Sequence, residues 1–252
     1  NLEQDWPMYR HDLERSGGTL SSLPSRLAES WTNQLGGKLT QCVVSGDRAY
    51  VASSDAHTVF ALDAENGQTE WSYVAGGRTD SAPTVLHGRV LFGCHDGFVY
   101  CLRASDGELV WRFRAAPNNV RLTAFGQLES PWPVIGSVLV QDGIAYVTAG
   151  RSSYLDGGMH LYALDVTTGA VLHKRLIEGP WPDLTKDNGG PYAMFGARPD
   201  LLTSDGRSIS MGPHNFRLDL TNLQEFQPDE DGNAPQSGPH LMASSGFLDD
   251  TW

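Results

Sequence analysis

The chain has 252 residues, of which 40% are hydrophobic, and its 30 acidic and 18 basic residues give a formal net charge of −12. Its length suits one large domain, and no stretch reaches the roughly 20 apolar residues that a membrane-spanning helix needs. An acidic surface repels phosphate backbones. We therefore expect neither a membrane-spanning segment nor a nucleic-acid partner.

In chain order, the first strong pattern is a repeat of roughly 40 residues. Its complete copy is ALDAENGQTEW at residues 61–71, and partial copies are CLRASDGELVW at 101–111 and ALDVTTGAVLH at 163–173. Alternating apolar strands precede each copy, and the Asp-Gly dipeptides between strands suit tight hairpin turns. A repeat of this length and pattern is typical of a β-propeller built from four-stranded blades. We predict that fold, in an all-β chain.

The repeat also predicts the domain organisation. Residues 1–37 form an N-terminal segment in which Trp31 marks an outer strand that closes the ring, and residues 38–252 form a partial propeller. The blades are predicted at about 38–73, 79–113, 134–176 and 196–224, with the start of another at 240–252. Propellers close with about four to eight blades. We expect the chain to be part of a longer propeller, completed by strands of the same or another chain.

The repeated stretch resembles the tryptophan-docking motif A-x-D-x-x-x-G-x-x-x-W of the PQQ-like propellers, and the resemblance covers about residues 31–224. The opening DWPMYRH, followed by RSG at 15–17, is similar to the N-terminus of many bacterial members. Residues 126–133 and 150–157 resemble a subgroup of large, uncharacterised bacterial PQQ-like repeat proteins. The resemblance implies a propeller of about seven or eight blades. This superfamily includes quinoprotein alcohol dehydrogenases and a non-catalytic outer-membrane assembly lipoprotein.

The same resemblance defines what a quinone enzyme would need. Catalytic members carry two adjacent cysteines above the cofactor, a tryptophan below it, and Ca²⁺ held by Glu, Asn and Asp. The three cysteines Cys42, Cys94 and Cys101 are not adjacent, and we predict buried free thiols instead. The histidines show no metal-binding spacing. We therefore predict no cofactor and no metal, with PQQ and Ca²⁺ left as the alternative.

Irregular insertions point to a site on the face formed by the loops of blades two and three. Links between blades and loops between the second and third strands emerge on one face of a propeller, and long loops in compact domains are often functional. From these loops we predict six ligand- or partner-binding residues: Arg121, Glu129, Trp132, Arg151, Tyr154 and Asp156. The aromatic residues would supply contact area and the arginines charged hydrogen bonds. The alternative is that the two acids only neutralise the arginines.

The sequence favours a non-catalytic binding or assembly module of an exported bacterial protein, with a protein or a glycan as its partner. The small number of lysines, the habit of the family and an Asn at position 1 favour a periplasmic or secreted location. Two enzymes remain as alternatives. One is a PQQ-dependent dehydrogenase, and the other is a propeller-type polysaccharide lyase in which Tyr154 and Arg151 would abstract a proton.

Overall fold

The computed structural model describes residues 5–22, 25–124, 126–179, 199, 201–212 and 214–222. Every regular element in these ranges is a β-strand, which confirms the all-β prediction. Within the same ranges, the chain forms no helix that is long and apolar enough to cross a membrane.

The strands form successive antiparallel sheets in which neighbours in sequence are neighbours in space. Blade one consists of β1 (Val43–Ser45), β2 (Arg48–Ser53), β3 (Thr58–Asp63) and β4 (Thr69–Val74). Blade two consists of β5 (Thr84–Leu86), β6 (Arg89–Gly93), β7 (Phe98–Arg103) and β8 (Leu109–Arg114). A hairpin of β9 (Leu122–Ala124) and β10 (Gln127–Glu129) follows.

Blade three consists of β11 (Leu139–Gln141), β12 (Ile144–Ala149), β13 (Met159–Asp165) and β14 (Val171–Ile177). A sheet of three described strands follows, with β15 (Leu202–Ser204), β16 (Ser208–Met211) and β17 (His214–Arg217). This succession of sheets is the β-propeller architecture that the repeat predicts. The further blade predicted to start at 240–252 lies outside the described residues.

In the described residues, blades two and three are buried on both faces because each packs between two neighbouring sheets. In β6, Val90 and Phe92 belong to the core shared with blade one. Leu91, which points the opposite way, belongs to the core shared with blade three. Adjacent residues of a strand face opposite sides of a sheet, so a fully apolar stretch such as Val90–Phe92 supplies both cores. Apolar burial of this kind is the main stabilising contribution to the fold.

Three tryptophans each reach the blade that follows them in the chain: Trp31 from the N-terminal segment, Trp71 from blade one and Trp111 from blade two. The indole Nε1 of each donates a hydrogen bond to a backbone carbonyl that follows the third strand of that blade. The pairs are Trp31 with Ala64 at 3.0 Å, Trp71 with Ala104 at 2.9 Å and Trp111 with Val166 at 2.9 Å. Residues 25–37 contain no strand. The closing strand around Trp31 stays a prediction, because the strands that would pair with it are not among the described residues.

The contact of each tryptophan with the next blade also requires the glycine of the repeat. Gly107 and Gly169 both have positive φ, and the rings of Trp71 and Trp111 lie directly against them. A Cβ added at Gly107 would lie 2.6 Å from the Trp71 ring, and one at Gly169 would lie 2.7 Å from the Trp111 ring. The spacing between glycine and tryptophan therefore encodes an interface between blades as well as a turn within one.

The N-terminal segment crosses the inner strands of the blades. Trp6 pairs with Val44 on β1, and the Pro7 carbonyl accepts a hydrogen bond from the amide of Val85 on β5 at 2.7 Å. Further along, the Leu13 carbonyl accepts a hydrogen bond from the amide of Ser204 on β15 at 2.8 Å. A segment far from these strands in sequence thus joins three sheets near the propeller axis.

Arg15 completes this contact from a fully buried position. Its guanidinium donates hydrogen bonds to the carbonyls of Tyr9 at 2.9 Å, Leu202 at 3.3 Å and Val138 at 3.4 Å. Burial lowers the pKa of Arg15 to about 10, so the side chain stays charged at neutral pH. A buried charge is tolerated only where hydrogen bonds satisfy it, and here backbone carbonyls of three different segments do so.

We expect Gly107→Ala to lower the free energy of unfolding more than Gly88→Ala does. Both glycines have φ of +74°, so both alanines carry a similar backbone strain of about 1–2 kcal/mol. Only the methyl group at 107 meets the Trp71 ring, since nothing lies within 4 Å of a Cβ at 88. Urea unfolding measures both costs. Equal costs at the two positions would contradict a close contact between blades.

The same comparison in a Trp71→Ala background isolates that contact. Removing the indole alone should cost about 3–5 kcal/mol, and the excess cost of alanine at 107 over alanine at 88 should then disappear.

Candidate functional site

The loop face of blades two and three is built from four connections: residues 75–83, 94–97, 115–138 and 150–158. The long link between these blades is fastened where it starts, because the amides of Ala115 and Ala116 both donate to the Gly97 carbonyl at 3.0 Å. Its hairpin then reaches blade one, where Gln127 Oε1 lies 3.0 Å from His57 Nε2. The insertion is thus held against the turns of two blades.

A cluster of charged side chains lies beneath this link. We call Arg78, Asp80, His95 and Glu129 the charge cluster. His95 is only 4% exposed, and its Nε2 and Nδ1 lie 3.0 Å from Asp80 Oδ2 and 3.1 Å from Glu129 Oε1. Arg78 contacts the same two acids, with Nη2 2.8 Å from Asp80 Oδ2 and Nη1 4.0 Å from Glu129 Oε1.

The charge cluster joins three connections that are distant in sequence. Arg78 and Asp80 come from the link before β5, His95 from the turn between β6 and β7, and Glu129 from the end of β10. Two backbone bonds fix the geometry, since the His95 amide donates to the Arg78 carbonyl at 2.8 Å and the Ser130 amide donates to the His95 carbonyl at 2.7 Å. Breaking one partner of a buried ion pair costs about 3–5 kcal/mol, so the cluster fastens the insertion to blade two.

The pKa values of two members follow from this arrangement. Burial by itself would lower the pKa of His95, but the close carboxylates of Asp80 and Glu129 outweigh burial and raise it. Burial would raise the pKa of Asp80, but contacts with His95 and Arg78 outweigh it and lower the pKa to about 2. The pair therefore favours protonated His95 next to ionised Asp80.

Asp96, the next residue in the same turn, has the turn role expected from the sequence. Its Oδ1 accepts a hydrogen bond from the Phe98 amide at 3.0 Å, and its Oδ2 accepts one from the Tyr100 hydroxyl at 2.5 Å. Hydrogen bonds of an aspartate to the backbone two residues on stabilise turns. Asp96 therefore braces the turn that carries His95.

Three of the six predicted site residues come together. Trp132 is 8% exposed, and its Nε1 donates to the Asp156 carbonyl at 2.9 Å. The Asp156 carboxylate in turn accepts a hydrogen bond from Arg151 Nη2 at 2.7 Å. Trp132 belongs to the core between blades two and three, so the contact area expected from its ring is directed inward. These contacts fasten the loop between β12 and β13 to the link before blade three.

The other three predicted residues are not part of that chain of hydrogen bonds. Glu129 is buried in the charge cluster. Tyr154 is half-buried, and its amide donates a hydrogen bond to the Ser152 hydroxyl oxygen at 3.2 Å. Arg121 is exposed just before β9. The structure therefore places Arg121 and Tyr154 at the surface and uses Glu129 and Trp132 as support beneath it.

The charge cluster itself was not predicted from the sequence as a unit. Asp80, His95 and Glu129 come from three separate connections, and their spacing of 15 and 34 residues matches no motif. The available signal was the His-Asp-Gly turn after β6, which places a histidine where a short hairpin needs only turn residues. Only the three-dimensional arrangement shows that two acids meet that histidine.

The cysteines and the possible metal ligands bear on whether the described residues could hold a cofactor or a metal. Cys94 and Cys101 are buried free thiols, as predicted, and the Cys94 amide bonds to Phe98 across the hairpin. The same prediction is wrong for Cys42, which is exposed just before β1. In the described ranges, no group of three His, Cys, Asp or Glu side chains could hold a metal ion.

Comparison with known proteins identifies the family. A family model described as outer membrane protein assembly factor BamB matches residues 11–172. This match covers more than half of the chain. The chain belongs to this family of PQQ-like repeat proteins. The resemblance to PQQ-like propellers is thereby confirmed.

Assembly factors and dehydrogenases are both among the relatives. The outer membrane protein assembly factor BamB of Yersinia pestis is 36% identical over 229 residues, which covers 74% of this chain and 55% of that protein. The polyvinylalcohol dehydrogenase of a Sphingopyxis species is 24% identical, over 90% of this chain and 37% of that protein. The chain thus spans about half the length of the first relative and less of the second.

A solved structure shows the same fold. The quinohemoprotein alcohol dehydrogenase ADHIIG of Pseudomonas putida HK5 superposes with a TM-score of 0.58 at 17% identity, over 69% of this chain and 27% of that one. At this identity the likeness concerns the architecture alone. The β-propeller fold is confirmed.

We expect His95→Gln to destabilise the chain most between about pH 4 and pH 6.5. The raised pKa of His95 means that its stabilising contribution is complete below the unfolded value of about 6.5 and is lost as pH rises through the folded value. The lowered pKa of Asp80 means that its contribution is present above its unfolded value and is lost as pH falls towards about 2. The difference in Tm between wild type and variant should therefore shrink at alkaline pH.

His160→Gln is the matched control. Burial outweighs the nearby Glu178 and lowers the pKa of His160, so replacing it should instead relieve a loss of stability at acid pH. A Tm difference for His95→Gln that is constant from pH 5 to pH 9 would contradict the assigned role of the charge cluster.

Proposed function

We propose that this chain is a non-catalytic, protein-binding propeller module of a bacterial outer-membrane assembly machinery and works outside the cytoplasm. The observation that carries the proposal is the family match over residues 11–172, because its description is that of an outer membrane protein assembly factor. The relative from Yersinia pestis, which bears the same description, supports it. The proposal names a protein as the partner because that description concerns protein assembly.

The loop face has the features of a contact surface. Its insertions are fastened from beneath by Trp132 and the charge cluster, so the backbone is ordered before any partner binds, and preorganisation reduces the cost of binding. Leu128 is 65% exposed at the hairpin, and Leu155 is exposed in the loop before β13. Apolar side chains near arginines such as Arg121 are typical of protein interfaces. We propose that the partner contacts these tips together with Tyr154 and Arg151.

A PQQ-dependent dehydrogenase is the second candidate, because dehydrogenases are among the relatives. A quinone enzyme of this kind would place Ca²⁺ among carboxylate and amide oxygens. On the described loop face, Asp80 and Glu129 instead face His95 and Arg78, and Asp156 faces Arg151. These acids are occupied by cationic side chains and do not fit a calcium site, so we favour the binding module.

Photo-crosslinking tests the proposed contact surface. A photoreactive amino acid placed at Leu128 or Leu155 of the full-length protein in its bacterial host should crosslink to an outer-membrane assembly protein, identified by mass spectrometry. Glu65 and Asp142 are matched controls on the face opposite the loop face. Both are exposed, Glu65 in the turn between β3 and β4 and Asp142 in the turn between β11 and β12. Crosslinking that is equally strong from both faces, or absent from Leu128 and Leu155, would argue against the loop face.

A reconstitution experiment tests the non-catalytic character. The full-length protein incubated with PQQ and Ca²⁺ should retain no quinone absorption after gel filtration and should not reduce an artificial electron acceptor with alcohols. Turnover of an alcohol would overturn the proposal in favour of the dehydrogenase.

A further inference from the structure

A groove opens on the outer rim between blades two and three. It has a volume of about 460 Å³ and is lined on one side by the end of β8 with the start of the following link, and on the other by β13 and β14. β8 and β14 are the outermost strands of their sheets. We call this the rim groove. It is distinct from the tips of the loop face at Leu128 and Leu155.

The rim groove has an aromatic base. The rings of Phe113 on β8 and Tyr162 on β13 meet edge to face, with centroids 5.0 Å apart. Both side chains are partly buried and pack against the core between the two blades. Leu172, which is 46% exposed, lies beside them on β14. A rigid aromatic base with an exposed aliphatic rim suits an apolar side chain of a ligand.

The formal charges of the rim groove are both positive and belong to Arg114 and Lys174. His173 also lines it, and no acid is among the lining residues. Neither Arg114 nor Lys174 has an acidic partner within 4.0 Å in the part of the chain that the structure describes, whereas arginines elsewhere, such as Arg48 and Arg151, do. In a chain with 30 acids and 18 bases, unpaired cations gathered in one groove select an acidic ligand.

The equivalent position between blades one and two shows that this charge is not a general property of the fold. Val74 of β4 is the counterpart of Arg114 of β8 in blade one. Val74 pairs with Thr58, the first residue of β3, and Arg114 pairs with Phe98, the first residue of β7. Register also aligns Arg112 with Lys174, but the Arg112 guanidinium lies 4.4 Å from the centroid of the Phe98 ring. Uncommitted cations therefore occur in the rim groove and not at its counterpart.

The edge of β14 supplies the backbone for recognition. In the described structure, β14 pairs only with β13, so its other edge presents free amide and carbonyl groups. Such an edge accepts an extended peptide as an additional strand. The exposed residues Val171, Leu172 and Leu176 lie along it. Backbone pairing of this kind requires a polypeptide, which favours a peptide over any other polyanion.

We propose that the rim groove binds an extended acidic peptide segment of a partner protein. The segment adds as a strand to the free edge of β14 and directs an apolar side chain onto Phe113 and Tyr162. Its Asp or Glu residues two positions before and after that side chain lie on the same face of the added strand and pair with Arg114 and Lys174. This second surface is independent of the contact proposed for the loop face, and its test needs no assembly machinery.

Fluorescence anisotropy tests the proposal at low salt with a labelled nine-residue peptide that carries Asp, Leu and Asp at positions 3, 5 and 7 and Thr elsewhere, so that the three side chains share one face of the added strand. We expect the full-length protein to bind it, and Lys174→Glu to weaken binding about tenfold or more, because the substitution turns an attractive pair into a repulsive one. Arg114→Glu should act in the same direction. Arg207 is exposed in the turn between β15 and β16, so Arg207→Glu changes the net charge equally and should have no effect.

Two further peptides make the test specific. A version with Lys in place of Asp should not bind, and N-methylation of alternate backbone amides should abolish binding in only one of the two registers, as strand addition requires. No binding by the wild type, or equal losses for Lys174→Glu and Arg207→Glu, would overturn the proposal. Because Lys174 is exposed on an edge strand, the variant should keep the wild-type Tm, and a circular-dichroism melt checks this.

Discussion

The contact between an indole on one blade and the backbone of the next is the interaction on which the rest of the structure depends. A four-stranded sheet has two faces to cover, and a propeller covers them with its neighbours. Trp71 and Trp111 set the distance and angle of that packing, because each ring lies on a glycine and each Nε1 reaches a carbonyl. The buried strands between them then have no freedom to shift.

Both proposed surfaces inherit their positions from this contact. Phe113 follows Trp111 by two residues and therefore lies on the same face of β8, which brings its ring to Tyr162 and forms the base of the rim groove. The link to blade three begins directly after β8 and is fixed to Gly97 within three residues of Phe113. A single docked indole thus orients the rim groove on one side and the start of the loop face on the other.

The sequence predicts the fold well because the repeat records a contact that recurs at blades one, two and three. The insertions follow no repeat, so their conformations depend on contacts made once. Trp132 illustrates this difference: its type suggests a surface aromatic, yet its ring is buried because Asp156 offers a carbonyl to its Nε1. The meeting of His95 with Asp80 and Glu129 likewise depends on how three loops fold, and spacing carries no signal for it.

Hydrogen exchange of the indole N–H groups, followed by NMR, tests the central claim that these tryptophans join the blades into one unit. The account predicts that the indole protons of Trp71 and Trp111 exchange only by global unfolding, at the same free energy as the backbone amides of β7 and β13. Indole protons that exchange as fast as those of an exposed side chain, while the β7 amides remain protected, would show that the blades are stable without this contact and would contradict the account.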